Sequence, residues 1–345
     1  MNTVVERCIG WPGLEEFQVP RDEALMLKGP QPGSRRPLPL SGAPSAPPAN
    51  PAAAPAAPPA IAKHDVIEVV HAPMVWPKKP FSPPLALFEN EDILLEHQDM
   101  NSRQPFYHRN TEVDEISYQV SGLRQLVTDI GSVELVPGDA VRIPVGVAHD
   151  NWGREDIHLL FYVATPVGLE SPAVRHSSPH EFRHWEPGIV PERISARGGA
   201  IDLLIDEKLL LSNAATDSRR LDVAHVDPQS EIAGVQCLYR SALFRLTFAT
   251  IARDEGREYR RNLNFDEVQI QLRGKRTLVT DVGCVDLEPG DFVRIPAGIA
   301  HAGIGGPGAY LQMQSAKPLR RLAQASKEAA LRSKDEIDAL RAALR

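Results

Sequence analysis

The sequence predicts an all-β protein with two barrels in tandem, followed by an amphipathic helix at its C-terminal end. The first observation is a duplication: residues 107–149 and 259–301 align without a gap, 152 residues apart, and 25 of the 43 aligned positions are identical. The second is that each copy reads as short, β-branched and apolar strands separated by tight turns such as Pro137-Gly138. Short strands without helical periodicity between them are typical of a sandwich or small barrel, so two copies imply two barrels.

Composition and charge argue against a nucleic-acid-binding protein and against a membrane protein. The 345 residues suffice for two domains with additional segments, and the net charge of −7 without a basic stripe argues against nucleic-acid binding. No apolar run approaches the roughly 18 residues that span a bilayer, and the first residues lack the regions of a signal peptide. Three widely spaced cysteines without a CxxC pair fit a reducing compartment. We therefore expect a cytoplasmic protein without a membrane partner.

The chain divides into six predicted segments. These are an N-terminal segment at 1–29, a Pro/Ala-rich linker at 30–62, the first barrel at 63–170, a connecting segment at 171–233, the second barrel at 234–316 and a C-terminal helix at 317–345. Repeated proline removes backbone donors and fixes φ, so the linker is predicted to be extended. The connecting segment is expected to supply opening strands to the second barrel. Apolar residues near multiples of a helical turn predict that the final helix packs on a barrel or a partner subunit.

Four side chains of the first copy, His108, Asn110, Glu115 and His149, carry nitrogen and oxygen donors. His108 and Asn110 are two residues apart on a predicted strand, so both can point to one face. Glu115 can return to the same interior after a turn, and His149 follows a Pro-x-Gly bend that would aim it inward. Two imidazoles and one carboxylate match the ligands of mononuclear non-haem iron sites. The alternative is that buried His and Glu side chains bond to each other without a metal.

The second copy keeps Asn262, Glu267 and His301 but has Arg260 where the first has His108. An arginine stays protonated and cannot ligate a metal, so this copy is predicted to be a degenerate site that serves structure. Binding of an anionic substrate group by Arg260 is the alternative.

Two further residues of the first copy are candidate acid/base groups. His158 and Tyr162 lie four residues apart on a predicted strand and therefore share a face. If that face is inward, they lie beside the metal, and His158 is the candidate to move a phenolic proton. A packed or exposed face is the alternative.

The spacing Gly138-x5-Pro144-x-Gly146-x2-His149 resembles the second motif of the RmlC-like cupin superfamily. The run His108-x-Asn110-x4-Glu115-x6-Gly122 resembles the first cupin motif, with asparagine where most cupins have a second histidine. The resemblance covers both repeats, a little over half of the chain. It implies a bicupin whose barrels are jelly rolls (double-stranded β-helices). It also implies that His108, Glu115 and His149 are metal ligands, with Asn110 as a weaker fourth.

The run His108-Arg109-Asn110, followed by an acidic residue, also resembles the metal motif of homogentisate and hydroquinone-type ring-cleaving dioxygenases. Those relatives use ferrous iron and O₂ to open dihydroxy aromatic rings. Here the glutamate lies one residue further from the histidine, and the metal-bearing copy is N-terminal where theirs is C-terminal.

The resemblance therefore implies an Fe²⁺-dependent dioxygenase that cleaves the ring of a small hydroxylated aromatic with O₂. One alternative is an isomerase, decarboxylase or lyase that uses the same ligands with Mn²⁺, Zn²⁺ or Ni²⁺. Another is a non-catalytic bicupin that binds a small ligand or supports a partner subunit. Because cupin barrels with exposed edges usually associate, we also expect a homo-oligomer.

Overall fold

The structure is a computed structural model, and it describes residues 2–9, 14–21, 66–78, 82–164, 166–179, 185–196 and 199–344. The predicted Pro/Ala-rich linker at 30–62 lies outside these ranges, and two strands of the predicted N-terminal segment lie within them. Among the described residues, no helix has the length and apolar character needed to cross a membrane.

Strands make up most of the described chain, and the two helices that it contains are short. The strands before and within the first copy are β1 (Asn2–Ile9), β2 (Leu14–Arg21), β3 (Glu68–His71), β4 (Leu85–Glu89), β5 (Ile93–Met100), β6 (Tyr107–Asn110), β7 (Asp114–Thr128), β8 (Gly131–Leu135), β9 (Asp139–Ile143) and β10 (His149–Val163). Between the copies lie β11 (Gly168–Leu169), β12 (Arg175–His176), β13 (Ile189–Ala196), β14 (Gly199–Asp206), α1 (Glu207–Thr216) and β15 (Asp222–His225). The second copy and the tail contain β16 (Gly234–Arg240), β17 (Phe244–Ile251), β18 (Asp254–Glu255), β19 (Glu258–Asn262), β20 (Asp266–Arg273), β21 (Arg276–Thr280), β22 (Gly283–Leu287), β23 (Asp291–Ile295), β24 (Ala300–Gly305), β25 (Gly308–Ser315), β26 (Arg320–Arg321), β27 (Lys327–Glu328) and α2 (Lys334–Ala343).

The two copies form jelly-roll barrels with the same strand pairing. In the first, β7 pairs antiparallel with β8, β9 and β10, and in the second, β20 and β21 pair in the same way with β22 to β25. The register also repeats, because Tyr162 lies opposite Glu115 and Gln314 lies opposite Glu267. The expected all-β fold of two tandem jelly rolls is confirmed.

The segments that flank each copy cross to the other barrel. β3 precedes the first copy but pairs with β23 of the second, and β15 precedes the second copy but pairs with β9 of the first. After the copies, β11 pairs with β16 and β26 pairs with β4. The predicted boundaries therefore differ from the structure: the connecting segment supplies strands to the first barrel, and the first barrel does not begin with β3. Both barrels present nearly the same edge sequence, so alternation alone does not show which edge receives a strand.

One hydrophobic core joins the two barrels. It contains Leu95 and Phe161 of the first barrel together with Phe244 and Leu311 of the second, and all four are buried. The rings of Phe161 and Phe244 lie 6.2 Å apart between centroids. Continuous burial across this boundary, together with the exchanged strands, makes the two barrels one packed unit.

The predicted C-terminal helix is present but starts later than expected. Helix α2 begins at Lys334 after the capping box of Ser333 and Glu336, and it packs Ile337 against the second barrel. Residues 317–333 are not helical, which corrects the prediction for that stretch. Their backbone completes sheet edges instead: Leu322, for example, donates its N–H to the carbonyl oxygen of Leu87 at 2.9 Å.

Candidate metal centre

Three of the predicted ligands converge inside the first barrel. His108 lies on β6, Glu115 on β7 and His149 on β10, and one ligand atom from each lies within 4.8 Å of the others. His108 and His149 are direct partners in the antiparallel pairing of β6 and β10, and their ring centroids are 5.3 Å apart. The side chains meet because residues opposite each other on paired strands project to the same face.

Hydrogen bonds orient the carboxylate and one imidazole. His149 Nε2 lies 3.3 Å from Glu115 Oε2, and its Nδ1 lies 3.3 Å from the carbonyl oxygen of Val147. Asn110 donates its amide Nδ2 to the same Oε2 of Glu115 at 3.0 Å. The side-chain nitrogen of Asn110 thus holds the carboxylate of Glu115. A role for Asn110 as a fourth metal ligand stays a prediction.

The electrostatics favour the protonation state that a metal requires at two of the three side chains. Burial lowers the pKa of His108 to about 4, with help from the charge of His149, so that ring is neutral at pH 7. Burial alone would raise the pKa of Glu115, but His149 and its hydrogen bond outweigh it and hold that pKa at about 2. Burial opposes protonation of His149, yet Glu115 raises its pKa. Glu115 is therefore ionised and His108 is neutral, as a metal requires, whereas a metal that binds His149 must displace its proton.

The three side chains face a cavity of about 260 Å³. Pro84, Phe106 and Leu160 give it an apolar wall, whereas Glu96, Gln98, Gln104, Asn151, Arg193 and Ser195 add polar groups. His158 and Tyr162 also line it. The volume lies just below the roughly 300–1,000 Å³ of pockets for drug-sized molecules, so the cavity suits a small ligand.

His158 presents one unpartnered nitrogen. Its Nδ1 lies 3.0 Å from Asp156 Oδ2, while its buried Nε2 has no hydrogen-bond partner. Burial, and then the charge of Arg124, lowers the pKa of His158, so the ring is neutral. Burial raises the pKa of Tyr162 well above its usual value, so this phenol keeps its proton. A neutral imidazole with an open nitrogen can accept a proton from a ligand in the cavity.

Two residues of the site come from the connecting segment and were not predicted. Strand β13 runs parallel to β6, and Arg193 and Ser195 lie opposite His108 and Asn110. Ser195 Oγ lies 2.9 Å from His108 Nε2, and the Arg193 guanidinium lies 4.6 Å from the ring centroid of Phe106. Arg193 and Ser195 are two residues apart and therefore share one face of β13, and this spacing was the signal in the sequence from which they could have been predicted.

A buried carboxylate holds the β13–β14 hairpin and α1 on the barrel. Glu207, at the start of α1, is completely buried and accepts hydrogen bonds from Arg103 at 2.7 Å and Tyr107 at 2.8 Å. The indole of Trp185 donates to the same oxygen, Oε1, and the backbone N–H of Gly188 donates to Oε2 at 3.2 Å. Because Tyr107 precedes His108, this network connects the hairpin directly to the site.

The equivalent position in the second barrel has a different chemistry. Arg260 replaces His108 opposite His301. Glu267 accepts from the amides of Asn262 at 3.1 Å and Gln269 at 2.6 Å, and Gln314 lies 3.4 Å away. The described residues of the second barrel contain no group of three His, Cys, Asp or Glu side chains with ligand spacing.

Comparisons with known proteins give likenesses in structure. No protein-family model matches the sequence, and no curated protein matches it. A cupin 2 conserved barrel domain protein from Leptotrichia buccalis is 11% identical, with a TM-score of 0.45 over 75% of this chain and 99% of that one. Oxalate decarboxylase from Bacillus subtilis is 11% identical, with a TM-score of 0.42 over 74% and 78%. A mutant of salicylate 1,2-dioxygenase from Pseudoaminobacter salicylatoxidans is 13% identical, with a TM-score of 0.40 over 68% and 75%. The fold assignment rests on the strand pairing described above.

Proposed function

We propose that the first barrel is the active site of a metal-dependent enzyme, an Fe²⁺-dependent dioxygenase that opens the ring of a small hydroxylated aromatic. The observation that carries this proposal is the convergence of His108, Glu115 and His149 on one small cavity with an apolar wall. Two imidazoles and one carboxylate that leave positions open are the ligand set of non-haem iron oxygenases.

The residues present fit such a metal. His108, Glu115 and His149 would hold it, and Asn110 would keep the carboxylate in place through its hydrogen bond to Oε2. Bound ferrous iron would supply the activation of O₂ and lower the pKa of a substrate hydroxyl.

The surrounding side chains suit a single hydroxylated ring. Phe106 and Leu160 would pack against its apolar faces. The open Nε2 of His158 would accept the proton of a ring hydroxyl, and Asp156 would stabilise the resulting imidazolium through Nδ1. Tyr162, which stays protonated, would donate a hydrogen bond to substrate oxygen.

A second candidate is a decarboxylase, isomerase or lyase that uses Mn²⁺, Zn²⁺ or Ni²⁺ at the same ligands. The observation that favours it is the position of Glu96 in the cavity lining. Burial, assisted by the charge of Glu115, raises the pKa of the Glu96 carboxyl to about 7. A carboxyl group that is half protonated near neutral pH is suited to give a proton to a carbanion.

Oxygen uptake separates the two candidates. Protein reconstituted with Fe²⁺ under anaerobic conditions would be mixed with hydroquinone, homogentisate and related phenols in an oxygen electrode. We expect uptake of one O₂ per ring opened, with loss of at least a hundredfold in rate in His158→Gln and complete loss in His108→Gln. Turnover of an acid without oxygen uptake would favour the second candidate. Undiminished uptake in His108→Gln would contradict both.

A further inference from the structure

The second barrel contains a cavity of about 250 Å³, nearly the volume of the one in the first barrel. Two arginines line it: Arg260, at the position of the missing metal ligand, and Arg276, on β21. A purely structural barrel has no need of a polar cavity, because buried polar groups cost free energy unless they are hydrogen-bonded. This cavity instead keeps a polar lining with two cationic groups.

Arg276 is a buried cation without an ion pair among the described residues. It is 7% exposed, and its guanidinium donates to two neutral amide oxygens, those of Gln271 at 2.7 Å and Gln269 at 2.5 Å. The guanidinium also stacks 4.4 Å from the ring centroid of Tyr310. The charges of Glu267 and Asp254 act on this guanidinium as well, but neither carboxylate forms an ion pair with it, and a buried charge without a direct counterion is costly.

The arginine equivalent to Arg276 in the first barrel, Arg124, has different acidic neighbours. Arg124 lies in the field of Asp156, whereas the position equivalent to Asp156 in the second barrel is Gly308. The second barrel thus has an arginine where the first has His108, and the charges of Glu267 and Asp254 act on Arg276 where those of Glu115 and Asp156 act on Arg124. The exchange of histidine for arginine adds a positive charge to the cavity.

The acidic groups that face the two arginines leave room for a ligand anion. Glu258 lies 3.4 Å from Arg260, but both side chains are about half exposed, so the pair is weak and replaceable. Asp254 lines the cavity and accepts the backbone N–H of Gly256 at 2.8 Å. Glu267 is not among the lining residues and accepts hydrogen bonds from amide donors, although its charge acts on both arginines.

We propose that the second barrel is a binding site for a small carboxylate, which Arg260 and Arg276 hold between them. The planar guanidinium fork matches a carboxylate in two parallel hydrogen bonds, and the ring of Tyr310 with Ile251 offers an apolar surface to the rest of the ligand. Glu258 competes with the ligand for Arg260 at the mouth of the cavity. The site is independent of the metal centre in the first barrel.

Isothermal titration of the full-length protein with benzoate, and with its neutral isostere benzamide, tests the proposal. Benzoate is expected to bind at least ten times more tightly than benzamide. Arg260→Gln should weaken benzoate binding at least tenfold and leave benzamide unchanged, whereas Glu258→Gln should strengthen benzoate binding several-fold. His108→Gln, which alters only the first barrel, should change benzoate affinity less than twofold.

Arg260→Lys serves as a second variant if the glutamine variant fails to fold, since it keeps the charge without the fork and is expected to bind with intermediate affinity. Equal affinity for benzoate and benzamide would overturn the proposal. So would benzoate binding that is unchanged in the Arg260 and Glu258 variants, or that disappears in His108→Gln.

Discussion

Replacing Glu207 with glutamine should destabilise the first barrel and loosen the hairpin that carries Arg193 and Ser195. Glu207 is fully buried and gathers donors from Arg103, Tyr107 and Trp185 on one oxygen. Glutamine has the same shape, so the change removes charge without opening a cavity.

The expected loss can be worked out from these contacts. A hydrogen bond to a charged acceptor contributes about 1.5–3 kcal/mol, and neutralising one partner of a fully buried ion pair costs about 3–5 kcal/mol. Arg103 is 32% exposed and keeps Asp150 at 2.7 Å, which reduces this second cost. The amide oxygen of glutamine can still accept from Tyr107, but its NH₂ group would face the donor of Gly188. We therefore expect Glu207→Gln to lower the free energy of unfolding by about 2–4 kcal/mol.

Urea unfolding at neutral pH measures the loss, and hydrogen exchange locates it. Amides of residues 189–206 should exchange faster in the variant, while those of the second barrel should not change. Glu134→Gln is the matched control: its ion pair with Arg154 is about 40% exposed, so the same chemical change should cost at most about 1 kcal/mol. Equal losses in the two variants would refute the view that Glu207 anchors the hairpin.

Two further predictions concern stability. Gly122→Ala should cost about 2 kcal/mol or more in thermal unfolding, because at φ 69° its Cβ would lie 2.1 Å from the carbonyl oxygen of Glu155. Gly146→Ala, at φ 83° with no atom within 4 Å, is the control and should cost about 1 kcal/mol. For Glu96, the raised folded-state pKa of about 7 means that metal-free wild type loses stability as pH rises from 4.5 to 7. Glutamine does not titrate, so the unfolding free energy of Glu96→Gln minus that of wild type should increase by about 2 kcal/mol between pH 5 and pH 8. Urea unfolding at the two pH values measures this difference, and a difference that does not change with pH would contradict the prediction.

The core of the site could be predicted because it depends on strand periodicity. To place His108 and His149 in the site, it was enough to assign their two strands and the face of each strand that points inward. The 152-residue repeat helped, because it gave two copies of these strands to compare. Strict alternation along β10 would place His158 and Tyr162 on the opposite face from His149, but the register shifts between Arg154 and His158 bring them to the same cavity. Whether these side chains bind metal and substrate depends on chemistry that periodicity does not report.

The exchange of flanking strands was missed because it depends on long-range pairing. One signal was present: residues 69–71 (Val-Val-His) and 223–225 (Val-Ala-His) repeat at a spacing of 154, two residues away from the main repeat. The structure shows these segments in equivalent places, with His71 lying 3.0 Å from Asp291 and His225 lying 2.9 Å from Asp139. Local sequence shows that two such strands exist but not which barrel each one joins.

The C-terminal tail shows that helical periodicity alone does not predict where a helix begins. Apolar residues at helical spacing after residue 317 predicted one long helix, yet Pro318 disfavours helical backbone at the residue before it. The exposed edges of β3 and β4 then take up the backbone of β27 and β26. Only the last part, with its capping box at Ser333, has both a start signal and a buried face at Ile337.

Metal content shows directly whether the first barrel holds a metal ion. The protein would be purified anaerobically and measured by elemental analysis beside His108→Gln, with His176→Gln as a control because that histidine is exposed and lies outside the cluster. We expect about one metal ion per chain in wild type and in the control, and little or none in His108→Gln, with all three proteins folded. Equal metal content in wild type and His108→Gln, or no metal in either, would contradict it.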